Sequence, residues 1–407
     1  MNSFRALCLL LLPSALAAAE LALPAKFDFR TGPAAPGVRQ VLPTALFSAE
    51  TGYGFEPGAT PAFFSVAVPE GNYRVTVTLG AADGESTTTI KAELRRLMLE
   101  NVRTAAGKFE TRSFVVNVRT PRIVPGGEVK LKDRERLTEF ANWDDKLTLE
   151  FNGSHPRVAA VEIAKADVPT VYLLGDSTVC DQPNEPYASW GQMFTRFFKP
   201  DIAVANYAES GESLRSSLGA KRLAKVASLL RAGDTVLIQF GHNDEKEKGE
   251  GVGAFTTYKA SLKQYVAEVR KHGGQAVLVT PVQRRTFEKD GKLRNSHGDY
   301  PEAVRQAAAE EMVPVIDLHA LSTRLYEALG PEKSGALFKP GDGTHHNNYG
   351  AYELARCVIE GLRETKLPLV KSLADDVPPF DPAKPDAPEK FQVPASPQST
   401  AEKPLGN

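Results

Sequence analysis

The classes this chain cannot belong to are set by what it has little of. Its 407 residues hold three cysteines, too few for a disulfide-dense scaffold or a multi-cysteine zinc or iron–sulfur module. Charge of one sign is missing too: 49 Lys and Arg stand against 50 Asp and Glu. Without a basic stripe to neutralise phosphates, nucleic acid is not an expected partner. No apolar run approaches the roughly 20 residues of a membrane span, and there is no internal repeat. What is present is ordinary globular material, 42% hydrophobic and 24% charged, enough to bury several cores.

The first residues suggest an address. Arg5 precedes the apolar run 6–12, and Ala17, Ala18 and Ala19 supply small side chains. A charged start, a short apolar stretch and an A-x-A-like site read as a signal peptide of residues 1–19. The product is then expected to be secreted, periplasmic or extracellular.

Residues 20–166 read as an all-β sandwich domain. Short alternating segments at 62–68, 73–79, 88–93, 112–118, 146–151 and 158–163 are rich in Val, Thr and Phe and separated by Gly, Pro and Asn clusters. From 167 to 375 compact apolar runs at 170–174, 202–205, 235–240, 276–280 and 313–316 alternate with helical patterns at 214–230, 257–271, 300–311 and 347–363. That alternation predicts an α/β unit with a parallel sheet covered on both faces, and such sheets bind ligands beyond the carboxyl ends of their strands. Residues 376–407 are Pro-rich and poor in aliphatics, the composition of a disordered tail.

Polar residues gather at those strand ends. The first run is followed by Gly175-Asp176-Ser177-Thr178, which puts a serine in reach of a base as a nucleophile. Gly-Asp-Ser alone is also turn chemistry. Far along the chain comes Asp342-Gly343-Thr344-His345-His346. Asp342 can reach one nitrogen of an imidazole three residues on, leaving the other for the serine. Gly211 and Asn243 follow the second and third runs. A backbone N–H at Gly211, the Asn243 amide and the N–H of Ser177 are three donors able to converge on a developing oxyanion.

Gly175-Asp176-Ser177, Gly211, Gly241-His242-Asn243-Asp244 and Asp342-Gly343-Thr344-His345 together resemble the four blocks of the SGNH (GDSL) hydrolases, in order. Within them, Gly-Asp-Ser-Thr, Gly-His-Asn-Asp and Thr280-Pro281-Val282-Gln283-Arg284-Arg285 are similar to bacterial rhamnogalacturonan acetylesterases, carbohydrate esterase family 12. The resemblance implies a flavodoxin-like three-layer fold with Ser177 as nucleophile, His345 as base and Asp342 as its orienter. It also implies an oxyanion hole from Ser177, Gly211 and Asn243, and no cofactor. Phe27-Asp28-Phe29 and Gly52-Tyr53-Gly54-Phe55 look like the β-sandwich preceding some bacterial members. His346 stands where the pattern carries a small or aromatic residue, and the three-residue spacing from Asp342 favours His345 as the base. The function implied is a secreted serine esterase whose partner is an acetylated pectic polysaccharide.

Three further residues are candidates for substrate. Arg284 and Arg285 lie beyond the fourth run, where guanidinium groups can pair with a galacturonate carboxylate; they can equally be solvated surface charges. His297, in a polar Gly-containing loop, is read either as a contact for sugar hydroxyls or as a plain loop histidine. Tyr53, Phe55 and Trp143 are either sugar-stacking or core aromatics. Cys180 and Cys357 flank the presumed triad and are open between a disulfide and two buried thiols. A zinc site at Asp342, His345 and His346 is disfavoured, because it leaves Ser177 and Asn243 without a role. Gly249 to Ala254 carry the letters of a dinucleotide fingerprint but follow a charged run and not a strand. Alternatives to the pectic reading are an SGNH esterase on another acetylated glycan or short acyl ester, and a non-catalytic carbohydrate-binding protein.

Overall fold

The structure, a computed structural model, describes residues 21–58 and 62–405; the expected signal peptide lies outside the described residues. Two five-stranded sheets form the N-terminal part. One has the spatial order Arg39–Gln40, Ala25–Asp28, Val158–Lys165, Gly71–Leu79, Glu110–Val118. The other runs Tyr53–Phe55, Ala62–Ala67, Lys146–His155, Ser86–Ala92, Arg96–Thr104. Neighbours pair antiparallel except Ala25–Asp28 with Arg39–Gln40. Period-two patterning explains the packing: Tyr73, Val75, Val77 and Leu79 are buried while the residues between them are half-exposed. The sheets close over Phe27, Phe64, Val75, Val77, Leu149 and Val161. Tyr53 packs at a tilt on Phe27 and Phe55 edge-on against Phe64, both half-buried against the core.

The chain then enters a parallel sheet in the order Ala203–Asn206, Thr170–Gly175, Thr235–Gln239, Gln275–Val279, Val315–Ile316. Numbered along the chain this is 2-1-3-4-5, the flavodoxin-like order, which places a ligand crevice where strand order reverses around the first strand. Every residue of Thr170–Gly175 is buried. Val171 and Leu173 enter one apolar layer, with the helix Asn348–Thr365. Tyr172 and Leu174 enter the other, with Lys259–Lys271 and Tyr300–Glu311.

The helical patterns are modified where the backbone turns. The 214–230 pattern is two helices, Leu214–Gly219 and Arg222–Leu229, because Lys221 takes a left-handed conformation at φ +64°. A further helical stretch, Leu318–Lys333, kinked at Gly330, is begun by Asp317, whose carboxylate accepts from Ala320 N–H at 3.2 Å.

The reading of 376–407 as a disordered tail is corrected. Its prolines supply little apolar surface, but Phe380 and Val393 are buried, and Phe391 packs on Tyr349 and Tyr352. Main-chain polar groups find fixed partners as well: Lys91 donates to Pro394 O at 2.7 Å, and Ser396 N–H donates to Glu185 at 2.8 Å. The segment is therefore laid along both regions.

Buried ion pairs also join the two parts. Arg96 meets Asp181 at 2.9 Å, with neither side chain exposed, and Arg95 meets Glu185 at 2.6 Å. Both acids follow the first parallel strand by a few residues. Among the described residues no helix is long and apolar enough to cross a membrane.

Candidate active site

The first parallel strand ends at Gly175 for a spatial reason. A Cβ there would lie 2.6 Å from Gln239 O and from Val179 Cγ2, so only glycine lets the first and third strands close up beneath the next residues. Val179 and Cys180 N–H groups then donate to Asp176 O, and Asp176 Oδ1 accepts from the N–H and hydroxyl of Thr178. This turn fixes Ser177, whose own carbonyl accepts from Gln182 Nε2 at 2.8 Å and Ser189 Oγ at 2.6 Å.

Ser177 Oγ lies 2.9 Å from His345 Nε2, and His345 Nδ1 lies 3.1 Å from Asp342 Oδ2. All three residues are buried. The N–H groups of Thr344 and His345 donate to the other oxygen of Asp342 at 2.8 and 3.0 Å. Burial pushes the Asp342 carboxyl up, but the His345 ring and these two N–H groups outweigh it and hold the group below the usual carboxylate range. Arg285 N–H donates to Gly343 O at 2.8 Å, tying this loop to the fourth strand's end.

His346 faces the other way. Its Nε2 lies 2.6 Å from the Tyr326 hydroxyl and its ring packs on Phe338; burial holds it down to about 3. Geometry thus pairs His345, not His346, with Ser177. It also takes His346 out of any shared ligand set with Asp342 and His345.

The loop after the second strand brings Gly211 forward in a left-handed conformation, φ +77°, which glycine adopts at no steric cost. Asn243 is half-buried after the third strand. One N–H of its amide donates to Glu212 O at 2.9 Å, which ties it to the Gly211 loop and leaves its second N–H. Neighbouring His242 is fully buried between Asp176, 3.4 Å from its Nδ1, and the ring of His297; burial brings it down to about 4.

The substrate candidates fall elsewhere. His297 is buried, its Nδ1 2.7 Å from Glu245 and its Nε2 2.9 Å from Val282 O. Both ring nitrogens are thus engaged inside the chain, which speaks for the second of its two readings. Arg284 pairs with Glu245 at 2.5 Å. Arg285 donates to Ser334 Oγ at 2.9 Å and to Pro331 O. Both guanidinium groups brace loops instead of standing free for a carboxylate. Cys180 and Cys357 are free, buried thiols.

Residues that sequence reasoning missed come from the sandwich's connection 119–145. Lys132 Nζ donates to Ser210 O at 2.7 Å, and Arg134 pairs with Glu209. Trp143, which the sequence had already singled out, is buried beneath the Arg119 guanidinium. A Lys-Asp-Arg-Glu-Arg run inside an otherwise β-patterned region was the only local signal. Among the described residues, Glu135, Glu139 and Glu209 approach closely enough to share an ion. Their charge is met by Arg222, 2.7 Å from Glu135, and by Arg134 beside the other two.

Residues 173–351 match the family described as GDSL-like Lipase/Acylhydrolase. Two curated relatives come from Bacillus subtilis (strain 168). Rhamnogalacturonan acetylesterase RhgT is 41% identical over 214 residues, 49% of this chain and 91% of that protein. Probable rhamnogalacturonan acetylesterase YesY is 37% identical over 212 residues, 50% of this chain and 96% of that protein. Among solved structures, protein YxiM from Bacillus subtilis aligns over 85% of this chain and 99% of its own, at 24% identity and TM-score 0.48.

Proposed function

The chain belongs to the GDSL-like lipase/acylhydrolase family, the SGNH hydrolases, and is a carboxylic ester hydrolase; from that premise we propose that it is a secreted serine esterase removing acetyl groups from pectic polysaccharide of the rhamnogalacturonan class. The observation that carries the mechanism is the line from Ser177 Oγ through His345 to Asp342, at 2.9 and 3.1 Å.

In this reading Ser177 Oγ attacks the acetyl carbonyl while His345 Nε2 takes its proton. Asp342 holds the imidazole in the productive tautomer and balances the imidazolium that forms. The carbonyl oxygen becomes an oxyanion, which the N–H groups of Ser177 and Gly211 and the free N–H of the Asn243 amide stabilise. Collapse breaks the ester bond, His345 returns its proton to the departing sugar oxygen, and an acetyl-enzyme remains. Water, deprotonated by His345, repeats the addition and releases acetate with Ser177 restored. The route consumes only ester and water and calls for no cofactor.

The acetylated-carbohydrate substrate rests on the names of the two Bacillus relatives. Secretion rests on the charged, apolar and small-residue pattern of residues 1–19. Within this proposal, residues 167–375 are the hydrolase domain and 20–166 the domain preceding it. Acetate release from acetylated rhamnogalacturonan, with acetylated xylan in parallel, tests it. Preferential release from rhamnogalacturonan that disappears in Ser177→Ala is expected. Release from xylan alone overturns the substrate, and an active Ser177→Ala overturns the mechanism.

A further inference from the structure

The Gly211 loop is held from outside the parallel sheet. Lys132 Nζ donates to Ser210 O at 2.7 Å, and Arg134 Nη2 approaches the same oxygen at 3.4 Å. Lys132 also lies 3.2 Å from Glu212, on the other side of Gly211. The lysine is firmly based: its N–H donates to Glu135 at 2.8 Å, and Glu135 in turn accepts from Trp143 Nε1 and Arg222.

The chemistry of the peptide bond gives these contacts a consequence. Ser210 C=O and Gly211 N–H belong to one planar trans unit, in which they point in opposite directions. Fixing the oxygen therefore fixes the direction of the N–H. A cation bonded to that oxygen also polarises the unit, which makes the N–H a stronger donor. We propose that Lys132, seconded by Arg134, is a positioning residue that aims and polarises the Gly211 N–H for oxyanion stabilisation. The connection between two sandwich strands then works as part of the esterase machinery. This rests on the reading of Gly211 as an oxyanion donor.

The test uses the full chain and 4-nitrophenyl acetate, which needs no glycan contact, with kcat counted per active site titrated by a serine-directed phosphonate. Lys132→Met keeps the side chain's bulk and removes its charge. Its kcat is expected to fall about ten-fold, less than for loss of a direct oxyanion donor, while KM stays within about two-fold. Lys132→Arg is expected to recover most of the loss. Lys132→Gln serves in place of Lys132→Met should the latter not fold. A purely structural role would lower Tm and the titratable fraction but leave kcat per titrated site unchanged, and that result overturns the proposal. So does a loss confined to KM. Ser177→Ala separates the two levels: wild-type turnover there fells the serine-esterase reading beneath the proposal, whereas an inert Ser177→Ala beside a wild-type Lys132→Met leaves that reading standing and fells the proposed aiming of the Gly211 N–H.

Discussion

Between the two antiparallel sheets the interior is aromatic and aliphatic, with Phe27, Phe29, Phe55, Phe64 and Phe151 in mutual ring contact. The parallel sheet is equally apolar on both faces, yet its carboxyl edge buries Asp176, Ser177, His242, Asp342 and His345. A strand buried on one face needs only alternation, and each of its main-chain groups is met by a neighbour. The ends of parallel strands have no such ladder beyond them, so side chains and loop N–H groups must satisfy one another there. That requirement places ionisable groups in a low-dielectric setting, where hydrogen bonds to developing charge are worth most. The sandwich thus contributes burial, and the parallel sheet carries polar groups at a cost. The connection 119–145 breaks the division, since it starts in the first region and ends its charges in the second.

Substitutions sharpen this contrast, and the largest effect is expected at the edge. Ser177→Ala should lower kcat by about 10⁴-fold or more while leaving Tm almost unchanged; hydrolysis surviving at even a hundredth of wild type would sink the assignment. Next comes the junction. Arg96→Met leaves Asp181 buried without its nearest cation, and breaking such a pair costs about 3–5 kcal/mol. Urea unfolding measures it, and a loss below about 1 kcal/mol would mean that the two regions hold together without this pair.

Asn243→Ala removes one amide donor and should cost about 2.7–4 kcal/mol of transition-state stabilisation, read as a hundred-fold or greater fall in kcat. An unchanged kcat would assign Asn243 to loop bracing through Glu212 alone.

The smallest effect concerns protons. His346 is held down to about 3 in the folded chain, against about 6.5 unfolded. Between these values the unfolded state binds more protons, so stability rises with pH and is lost as pH falls below about 6.5. From pH 7 to pH 5 this histidine alone should cost about 2 kcal/mol. His346→Gln, which retains a partner for Tyr326, is expected to show a shallower acid slope in denaturant titrations; parallel curves for variant and wild type would refute the buried-neutral state.

Much of the architecture was legible because it follows from local pattern. Period-two alternation marked six of the ten sandwich strands, missing the inner strand Ala25–Asp28 and the edge strand Arg96–Thr104, and compact apolar runs marked all five parallel strands. The edge strands Arg39–Gln40 and Tyr53–Phe55 escaped because two or three residues carry no periodicity. The helical stretch Leu318–Lys333 is broken at Gly330, φ +71°, just before Pro331, and went unmarked. The Pro-rich end was not legible because its order is supplied by the surface it lies on, through Lys91, Glu185 and Tyr349, and not by its own composition.

By itself the sequence determined the fold class of both regions and the short list Ser177, Gly211, Asn243, Asp342 and His345, since residue type and position after a strand are written locally. Tertiary structure decided which of two adjacent histidines meets the serine, buried His297, tied the half-buried Arg284 and Arg285 to partners within the chain, and carried Lys132 to Ser210 across 78 positions of chain. Those outcomes depend on partners distant in sequence. Such partners are chosen by packing and by the need to satisfy every buried polar group, and no local pattern records that choice.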